Sequence, residues 1–393
     1  VALFNPNTTE ITPLDGIEGE VNALYCDQER DTVYVGGNFK GANSTNAIAW
    51  VGTDGWTNLP FAGFNGPVKA ITKASNGHII FGGTFTGLGN SSAPSESTSQ
   101  VINLSTANIT DENGSSRTDP EDIVCPGSSS SPWLLQDNTP GYWEADFGFG
   151  FAPTKLRLRN TRQDGRGTKT FRFLAYPING IMNLTYVDAD SGDNVTCTSE
   201  CPLRDDDDYQ EFTFINRVGM NRFRIAIADW YGSGGGLEGV ELFQSDIYAY
   251  AVSNFNEPKC GGAKYPASAT HTGPWEVSPS LESNSEYLTA KLDGDYDPKS
   301  VSVTFYPNID ESGNYSVNIY TPGCQADDTC ETRGRVNVTG IISSDDEKDT
   351  NFTSTLFQTN YFDKYDQIYF GYIEKNSGSF KPSVTIRPLA GQD

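Results

Sequence analysis

The sequence predicts an all-β fold: an incomplete β-propeller of about two blades, followed by two β-sandwich or jelly-roll domains. Three observations support this prediction. An internal repeat of 46 to 47 residues opens the chain, apolar and polar side chains alternate strictly through its middle, and two cysteines bracket that middle segment. The length of 393 residues agrees with two or three domains of roughly 150 residues each.

The repeat at the start predicts propeller blades in residues 1–110. Val21 recurs as Val68, and Phe39 recurs as Phe85. Each repeat holds short strand patterns, at 21–25, 33–35 and 47–51 and again at 68–72, 79–81 and 101–104. A ring needs about four blades. We therefore expect the rest of a longer chain, flanking domains or another subunit to cover the open faces of these two.

Two details of the repeat lead to further expectations. A Gly-Gly pair ends the second strand of each unit, at 36–37 and 82–83, where we expect a tight turn with positive φ. The opening residues match the end of a repeat unit. The chain is therefore expected to begin in mid-blade, with Val1 at a processed or excised end.

The remaining chain is predicted to hold a linker and two sandwiches. Ser, Thr, Asn, Gly and Pro dominate ahead of Cys125, which predicts a glycosylated linker at 111–124. Segment 125–260 alternates in runs such as KLRLR, TFRF, EFTF and RFRIAI, the pattern of half-buried strands. Two stretches of this segment resemble the galactose-binding, discoidin-like jelly roll, which typically binds sugars, lipids or proteins with loops at one end. They are PWLLQDNTPGYWEADFGFGF and NRFRIAIADWYGSGGGLEGVELFQ. Segment 261–393 is predicted to be a second compact sandwich.

Seven cysteines predict three disulfide bonds. The two short pairs lack CxxC spacing and nearby histidines, so two small disulfide loops are a simpler interpretation than zinc sites. A third bridge would tie together the ends of the middle domain. The predicted pairs are Cys125 with Cys260, Cys197 with Cys201, and Cys324 with Cys330. Cys26 remains as an odd thiol, expected to be buried in a strand.

Eleven N-x-S/T motifs predict a glycoprotein of the secretory pathway. About five would arise by chance from this composition, and some of them are turns in which the Asn carries no glycan. The candidate acceptors are Asn7, Asn43, Asn90, Asn103, Asn108, Asn113, Asn183, Asn194, Asn314, Asn337 and Asn351.

Essentially the whole chain resembles one family in the order of its parts. These parts are the repeat, the jelly roll with TCTSECPL, and the sandwich with IYTPGCQADDTCETRGRVNVTG. It is the family of fungal bud-site-selection and polarised-growth landmark membrane glycoproteins, the second member of the Rax family. The resemblance implies an ectodomain at the outer face of the plasma membrane, at sites of division or tip growth. It also implies a membrane partner of the same landmark pathway, and further propeller repeats and a membrane span outside these residues.

The formal net charge of −24 argues against nucleic acid as a partner. One local exception is a run of seven basic residues within 18 positions that contain the single acid Asp164. This predicted docking patch for an acidic surface consists of Lys155, Arg157, Arg159, Arg162, Arg166, Lys169 and Arg172. The alternative is an ordinary polar face of a sandwich.

Catalytic and metal-binding patterns are weak in this sequence. Only two histidines occur: His78 at the edge of a strand and His271 in a Thr-rich stretch read as a linker. Neither lies in HExxH or beside a GxSxG elbow, so we expect no enzyme activity and no cofactor. The acidic runs 188–193, 293–297 and 205–208 are predicted to be turns or solvated loops. A weakly held structural calcium ion is the alternative for them.

Two classes of function remain open at this stage. The first is a non-catalytic surface protein involved in bud-site selection and polarised growth, which recognises a protein or a cell-wall glycan. The second is a secreted carbohydrate-active enzyme, or a lectin-like protein that binds polysaccharides.

Overall fold

The structure is a computed structural model that gives the fold of most of the chain. The residues it describes are 2–6, 8–14, 16–28, 30–41, 44–52, 55–57, 59, 63–74, 77–85, 87–89, 100–125, 131–206, 208–258, 260, 262–292, 296–344 and 351–389. The chain divides into two compact units, Val1–Pro94 with Gly313–Ser316, and Ser95–Ser312 with Val317–Asp393. Within the described residues, no helix combines the length and the apolar character needed to cross a membrane.

The first unit is built from short antiparallel strands. They are β1 (Ala2–Phe4), β2 (Ile11–Pro13), β3 (Glu18–Asp27), β4 (Thr32–Gly41), β5 (Ser44–Val51), β6 (Gly55–Thr57), β7 (Val68–Lys73) and β8 (Ile79–Gly83). Strands β3 to β6 form one four-stranded meander in chain order, while β1–β2 and β7–β8 are separate pairs. The strand pattern of the repeat is therefore confirmed, but the described residues do not form a propeller.

Neither Gly-Gly pair forms the predicted turn, and Gly82–Gly83 lies inside β8 without positive φ. Gly36 and Gly37 lie inside β4 rather than in a turn with positive φ. A Cβ atom on Gly36 would come within 2.4 Å of Val68, and one on Gly37 within 2.0 Å of the Glu20 carbonyl oxygen. Glycine is needed here because other atoms approach the backbone closely.

The prediction for Cys26 was also wrong in part: it lies in β3 but is exposed, because it points away from the packed face of the sheet.

The jelly roll consists of two sheets packed face to face. Its strands are β9 (Gln100–Val101), β10 (Asn108–Glu112), β11 (Trp133–Leu134), β12 (Gly141–Phe151), β13 (Lys155–Asn160), β14 (Gly167–Tyr176), β15 (Gly180–Ile181), β16 (Leu184–Val187), β17 (Asn194–Cys197), β18 (Cys201–Pro202), β19 (Tyr209–Phe214), β20 (Met220–Tyr231) and β21 (Gly236–Gln244). The first sheet has the order β10-β12-β20-β14-β15, with β18 beside β14. The second has the order β11-β21-β13-β19-β16-β17, with β9 beside β21. This two-sheet architecture confirms the predicted sandwich.

Aromatic side chains fill the space between these sheets. Trp133, Trp143, Phe212 and Phe223 are fully buried together with aliphatic side chains from both sheets. Burial of a side chain of this size contributes about 1.5–3 kcal/mol. The alternation seen in the sequence is the cause, because every second residue of a strand points to the same face.

The start of the jelly roll lies earlier in the chain than the sequence suggested. Residues 101–104, expected to be a blade strand, hold part of β9, which pairs with β21, and Leu104 packs into the jelly-roll core. Segment 111–124 is not a linker: β10 pairs with β12, and Ile123 is fully buried in the same core. The Trp143 indole nitrogen donates to the Pro120 carbonyl oxygen at 2.8 Å. These residues therefore complete the first sheet and close one end of the core.

The last segment forms a second, smaller sandwich. Its strands are β22 (Ser268–Thr272), β23 (Trp275–Ser278), β24 (Tyr287–Ala290), β25 (Ser302–Tyr306), β26 (Gly313–Thr321), β27 (Arg335–Ile341), β28 (Phe352–Phe357), β29 (Lys364–Ile373) and β30 (Ser383–Pro388). The main sheet has the order β22-β25-β30-β27-β28, and β23–β24 and β26–β29 are pairs. Ile319 of β26 and Ile368 of β29 pack against Val338 of the main sheet, which makes the segment two-layered. His271 lies in β22 rather than in a linker.

Short 3₁₀ turns connect several of these strands. They are Leu104–Thr106, Pro120–Ile123, Gln163–Gly165, Ser253–Phe255 and Pro298–Ser300.

All three predicted disulfide pairings are present, and they are the ones expected from spacing. Cys125 joins Cys260 across a sequence separation of 135 residues. The other two bridges close short loops. Bonds of this kind are typical of proteins that fold in an oxidising compartment.

The jelly roll and the second sandwich pack together as parts of one compact unit. The FGFGF run of β12 explains the fit: its phenylalanines point into the core, and its glycines let another segment approach. Glu286 donates its backbone N–H to the Gly148 carbonyl oxygen at 2.7 Å, and the Gly150 N–H donates to Ser285 Oγ at 3.1 Å. A Cβ atom on Gly148 would lie 2.9 Å from the Glu286 carboxyl carbon. Glycine at this position therefore permits the two domains to dock.

Candidate recognition site

The predicted basic patch is split between the two sheets of the jelly roll. Lys155, Arg157 and Arg159 share the outer face of β13, while the intervening leucines are fully buried. Lys169 and Arg172 instead lie on β14, in the opposite sheet. The seven residues are close in sequence but do not form one surface.

Each basic residue of the patch is also paired with an acid. Arg157 illustrates the arrangement, since its guanidinium contacts Glu211 at 2.5 Å and Glu241 at 3.0 Å, from the strands on either side. Burial lowers the pKa of Arg157, but the hydrogen bonds to these glutamates outweigh it, so the net shift is upward. The other pairs are Lys155–Glu211, Arg159–Glu238, Arg162–Asp205, Arg166–Asp137, Lys169–Asp229 and Arg172–Glu200.

The expectation of a net positive surface is therefore corrected. Antiparallel neighbours bring carboxylates from distant parts of the chain onto the same face. Cross-strand pairs of opposite charge stabilise sheets by about 0.2–1 kcal/mol each. We call the row of ion pairs on the outer face of β13 the β13 ladder. It fits a role in stabilising the sheet better than the docking of an acidic partner.

The acidic runs behave as turns where the structure describes them. One carboxylate oxygen of Asp188 accepts from the backbone N–H groups of Asp190 and Ser191, which closes a tight turn. Asp205 and Asp206 pair with arginines. Residues 293–295 and 207 lie outside the described residues. Among the described residues, no group of His, Cys, Asp and Glu side chains is arranged to hold a metal ion.

The glycosylation motifs differ in accessibility. Asn103 is only 6% exposed, and its side-chain amide donates to the carbonyl oxygens of Asn254 and Asn256 at 2.9 Å each. The folded chain therefore has no room for a glycan at this position, and the prediction for Asn103 is wrong. The exposed acceptors are Asn108, Asn113, Asn194 and Asn351, and the half-buried ones are Asn183, Asn314 and Asn337. Asn7, Asn43 and Asn90 lie outside the described residues.

A group of exposed aromatic side chains in the second sandwich is the strongest candidate for recognition. Phe357, Tyr361, Phe362 and Tyr365 lie within nine positions of the chain and are exposed to 56%, 64%, 76% and 62%; we call these four rings the aromatic surface. Large apolar side chains that stay exposed near one another commonly mark interaction sites in soluble proteins. Aromatic rings are also common among the residues that contribute most to binding energy.

Asp363 anchors this surface from within. Its Oδ1 accepts from Ser283 Oγ and from the Gly323 N–H, both at 2.8 Å. Its Oδ2 accepts from the Tyr320 hydroxyl at 2.6 Å and from the Asn284 N–H at 3.2 Å. Burial raises the pKa of Asp363, but these four hydrogen bonds outweigh it and hold the pKa below its usual range. The aromatic residues before and after Asp363 are thus fixed to a rigid support.

The loop closed by Cys324 and Cys330 supplies the other side of the support. The Cys324 N–H donates to the Asn360 carbonyl oxygen at 2.9 Å. Arg333, three residues after the loop, binds Asp327 within it at 2.9 Å and also donates to the carbonyl oxygen of Gly323, just before the loop, at 3.0 Å. Burial raises the pKa of Asp327, yet its hydrogen bonds bring the net shift downward. The disulfide therefore braces the backbone that carries the aromatic surface.

This arrangement is suited to binding rather than to bond cleavage. Rings carried on a fixed backbone lose less conformational entropy when a partner covers them than rings on a mobile loop. Aromatic faces bind apolar side chains and the C–H faces of sugars, while the tyrosine hydroxyls offer hydrogen bonds. The sequence reasoning missed this site, although six of the twelve residues 361–372 are aromatic. That density was the available signal.

Comparisons with known proteins agree on one family. Residues 96–237 match the model of the Rax2 second domain, and residues 248–393 match that of the Rax2 third domain. The chain is 51% identical to the polarized growth protein L1 of Phoma sp., over 100% of this chain and 30% of that relative. It is 30% identical to the bud site selection protein RAX2 of Saccharomyces cerevisiae, over 99% of this chain and 35% of that relative. The chain thus spans about a third of the length of these relatives.

Solved structures with a similar fold include carbohydrate-binding modules and fucosidases. One is the family 32 CBM from C. perfringens NanJ in complex with galactose, with a TM-score of 0.29 and 10% identity over 37% of this chain and 100% of that one. Another is a CBM from a family 31 glycoside hydrolase of Clostridium perfringens, with a TM-score of 0.26 and 17% identity over 36% of this chain and 97% of that one. At these scores the likeness says nothing about what this chain binds.

Proposed function

Because this chain belongs to the Rax2 family, we propose that it is part of a cell-surface protein that acts in bud-site selection and polarised growth. Its task is recognition rather than catalysis. The names of the relatives in Phoma sp., Saccharomyces cerevisiae and Candida albicans support this role. Three disulfide bonds and the exposed acceptor asparagines support exposure on the outer face of the plasma membrane, reached through the secretory pathway.

One structural observation carries the recognition part of the proposal. The aromatic surface is exposed, yet its backbone is fixed by Asp363 and by the disulfide loop. A folded chain gains nothing by holding four large rings in water, whereas a binding protein gains affinity from preorganised rings. The partner we propose is either a membrane protein of the same landmark pathway or a cell-wall glycan.

The first unit adds a second expected contact. Leu24 and Ile80 are both more than half exposed on its strands. We propose that the rest of the full-length protein, or another subunit, covers these faces by supplying further blades. Blades are stable only when their faces are packed against neighbours.

A binding experiment tests the recognition proposal. The full-length protein, with Tyr361→Ser and Phe362→Ser together, should lose at least tenfold in binding to wall fragments or to membrane extracts from growing tips. The matched control is Ile341→Ser, which removes another exposed apolar side chain at the far end of β27. Equal binding by the double variant and the control would refute a role for the aromatic surface.

The alternative is a carbohydrate-active enzyme or a lectin-like protein. A glycan array combined with a hydrolysis screen on cell-wall polysaccharides separates the possibilities. Turnover of a polysaccharide by the purified protein would exclude the non-catalytic role. Binding without turnover, lost in the aromatic double variant, would identify the partner as a wall glycan.

A further inference from the structure

A cleft of about 310 Å³ lies on the outer face of the first jelly-roll sheet, on the opposite side of the domain from the β13 ladder. Its floor is formed by the small side chains of Ala226 and Ala228 on β20. In the sheet register, Ala226 lies directly between Tyr142 of β12 and Arg172 of β14. The cleft exists because an alanine stands between two large side chains.

The walls of this cleft are polar and well fixed. Tyr142 lines one wall. Its ring is held by Arg224, whose guanidinium lies 3.6 Å from the ring centre and contacts Glu144 at 2.8 Å. On the other wall, Arg172 contacts Glu200 at 2.5 Å. One wall therefore offers an aromatic ring in a set orientation, and the other offers both a hydrogen-bond donor and an acceptor.

Asn113 lies at the edge of the same cleft. It is the acceptor of an N-G-S motif, directly after the edge strand β10. Its side-chain amide nitrogen donates to the Pro140 carbonyl oxygen at 2.9 Å, and its own carbonyl oxygen accepts from the Gln136 N–H at 2.8 Å. The attachment point for a glycan is thus exposed, fixed in orientation and adjacent to a cleft.

We propose that the glycan attached to Asn113 folds back into this cleft, so that its first N-acetylglucosamine residues lie over Ala226 between Tyr142 and Arg172. The ring of Tyr142 packs against the apolar C–H face of a sugar. Arg172 and Glu200 hydrogen-bond to the hydroxyl and acetamido groups. A covalently attached ligand has a high effective concentration at the site, so weak contacts suffice to hold it.

This internal ligand has a structural consequence. Strand β10 is the outer strand of its sheet, and unpaired edges invite association with other chains. A glycan that is held at the end of β10 keeps other chains away from that edge. Asn108, at the other end of β10, is also an exposed acceptor.

Native deglycosylation tests the proposal. The full-length glycoprotein, purified from a fungal host, is treated with a peptide N-glycosidase without denaturation, and the release of each glycan is followed by glycopeptide mass spectrometry. The glycan at Asn113 should be released at least tenfold more slowly than that at Asn194, an exposed acceptor at the start of β17. An unmodified Asn113, or equal release rates at the two sites, would overturn the proposal.

A variant that fills the cleft shows whether slow release at Asn113 comes from packing of its glycan or from poor access of the peptide N-glycosidase. In Ala226→Phe the glycan at Asn113 should be released as fast as that at Asn194, because the new ring occupies its place. Thr213→Phe adds the same bulk to the outer face of the other sheet and should leave the slow release unchanged. Slow release that persists in folded Ala226→Phe would refute the packing. If that variant does not fold, Tyr142→Ala replaces it: without the ring that packs on the sugar, release at Asn113 should match that at Asn194, and persistent slow release would refute the packing.

Discussion

Replacing Asp363 with asparagine should destabilise the support of the aromatic surface at neutral pH. The substitution keeps the shape of the side chain but turns one acceptor oxygen into a donor nitrogen. Oδ1 accepts hydrogen bonds from the Ser283 hydroxyl and the Gly323 N–H, whereas Oδ2 accepts from the Tyr320 hydroxyl and the Asn284 N–H. If Oδ1 is replaced, the Ser283 hydroxyl and the Gly323 N–H lose this acceptor. If Oδ2 is replaced, the Tyr320 hydroxyl loses it, and the Asn284 N–H keeps only the Tyr320 oxygen, at 3.1 Å.

The magnitude follows from these contacts. A hydroxyl can turn to another acceptor, but a backbone N–H cannot. Hydrogen bonds to a charged group contribute about 1.5–3 kcal/mol each. We therefore expect Asp363→Asn to lower the free energy of unfolding by about 2–4 kcal/mol at pH 7.

The pH dependence provides a second check on the same residue. The pKa of Asp363 in the folded chain is below its usual value, because four hydrogen bonds outweigh the effect of burial. The stabilisation is therefore fully present above the unfolded pKa of about 3.9, and it is lost as the pH falls through the lower, folded pKa. The difference between wild type and Asp363→Asn should shrink below about pH 4.

Urea unfolding at pH 7 and at pH 3, followed by tyrosine fluorescence and circular dichroism, measures both effects. Asp328→Asn is the control, since it removes an exposed carboxylate from the disulfide loop that braces the aromatic surface. A loss below about 1 kcal/mol at pH 7, or the same loss at both pH values, would refute the role assigned to Asp363.

Three further changes test the rest of the fold. Replacing Cys125 and Cys260 together by alanine should lower the free energy of unfolding by about 3–5 kcal/mol, because the bond closes a long loop; an unchanged urea midpoint would contradict this. Gly148→Val should cost about 1–3 kcal/mol by forcing Glu286 away, visible as a separate transition of the second sandwich in calorimetry; a single unshifted transition would show that the domains do not depend on this contact. Arg157→Glu should destabilise the jelly roll by about 1–3 kcal/mol, since it leaves three carboxylates side by side; wild-type stability in low salt would argue against the charge ladder.

Local patterns in the sequence were sufficient to predict strands and disulfides. Runs such as Lys155 to Arg159 became strands with one buried and one solvent face, because the side-chain period of a strand is fixed by its geometry. The cysteine pairs were predictable since neither short pair matched a metal site. These inferences needed only neighbouring residues.

Features that depend on distant residues could not be predicted in this way. Residues 101–124 were assigned to a blade and a linker because their strand partners β12 and β21 lie far along the chain. The basic patch was misjudged because the acids that pair with its β13 residues belong to β19 and β21. Asn103 matches the glycosylation motif perfectly, but its burial is decided by Asn254 and Asn256, some 150 positions later.

The aromatic surface was missed for a different reason. Tyr365 lies in β29 beside polar neighbours, a pattern typical of an ordinary strand, and Tyr361 and Phe362 lie in the loop before it. Only the structure shows that they remain exposed beside Asp363 and the disulfide loop. Exposure is a property of the packed chain and not of the pattern.

The most direct test of recognition by the aromatic surface is the position of growth in living cells. A fungal strain whose full-length protein carries Tyr361→Ser and Phe362→Ser should deliver that protein to its surface in normal amounts, yet place new buds or tips at random. A strain with Ile341→Ser should place them as the wild type does. Normal placement in the double variant, at normal surface abundance, would contradict the proposal that this surface recognises the partner.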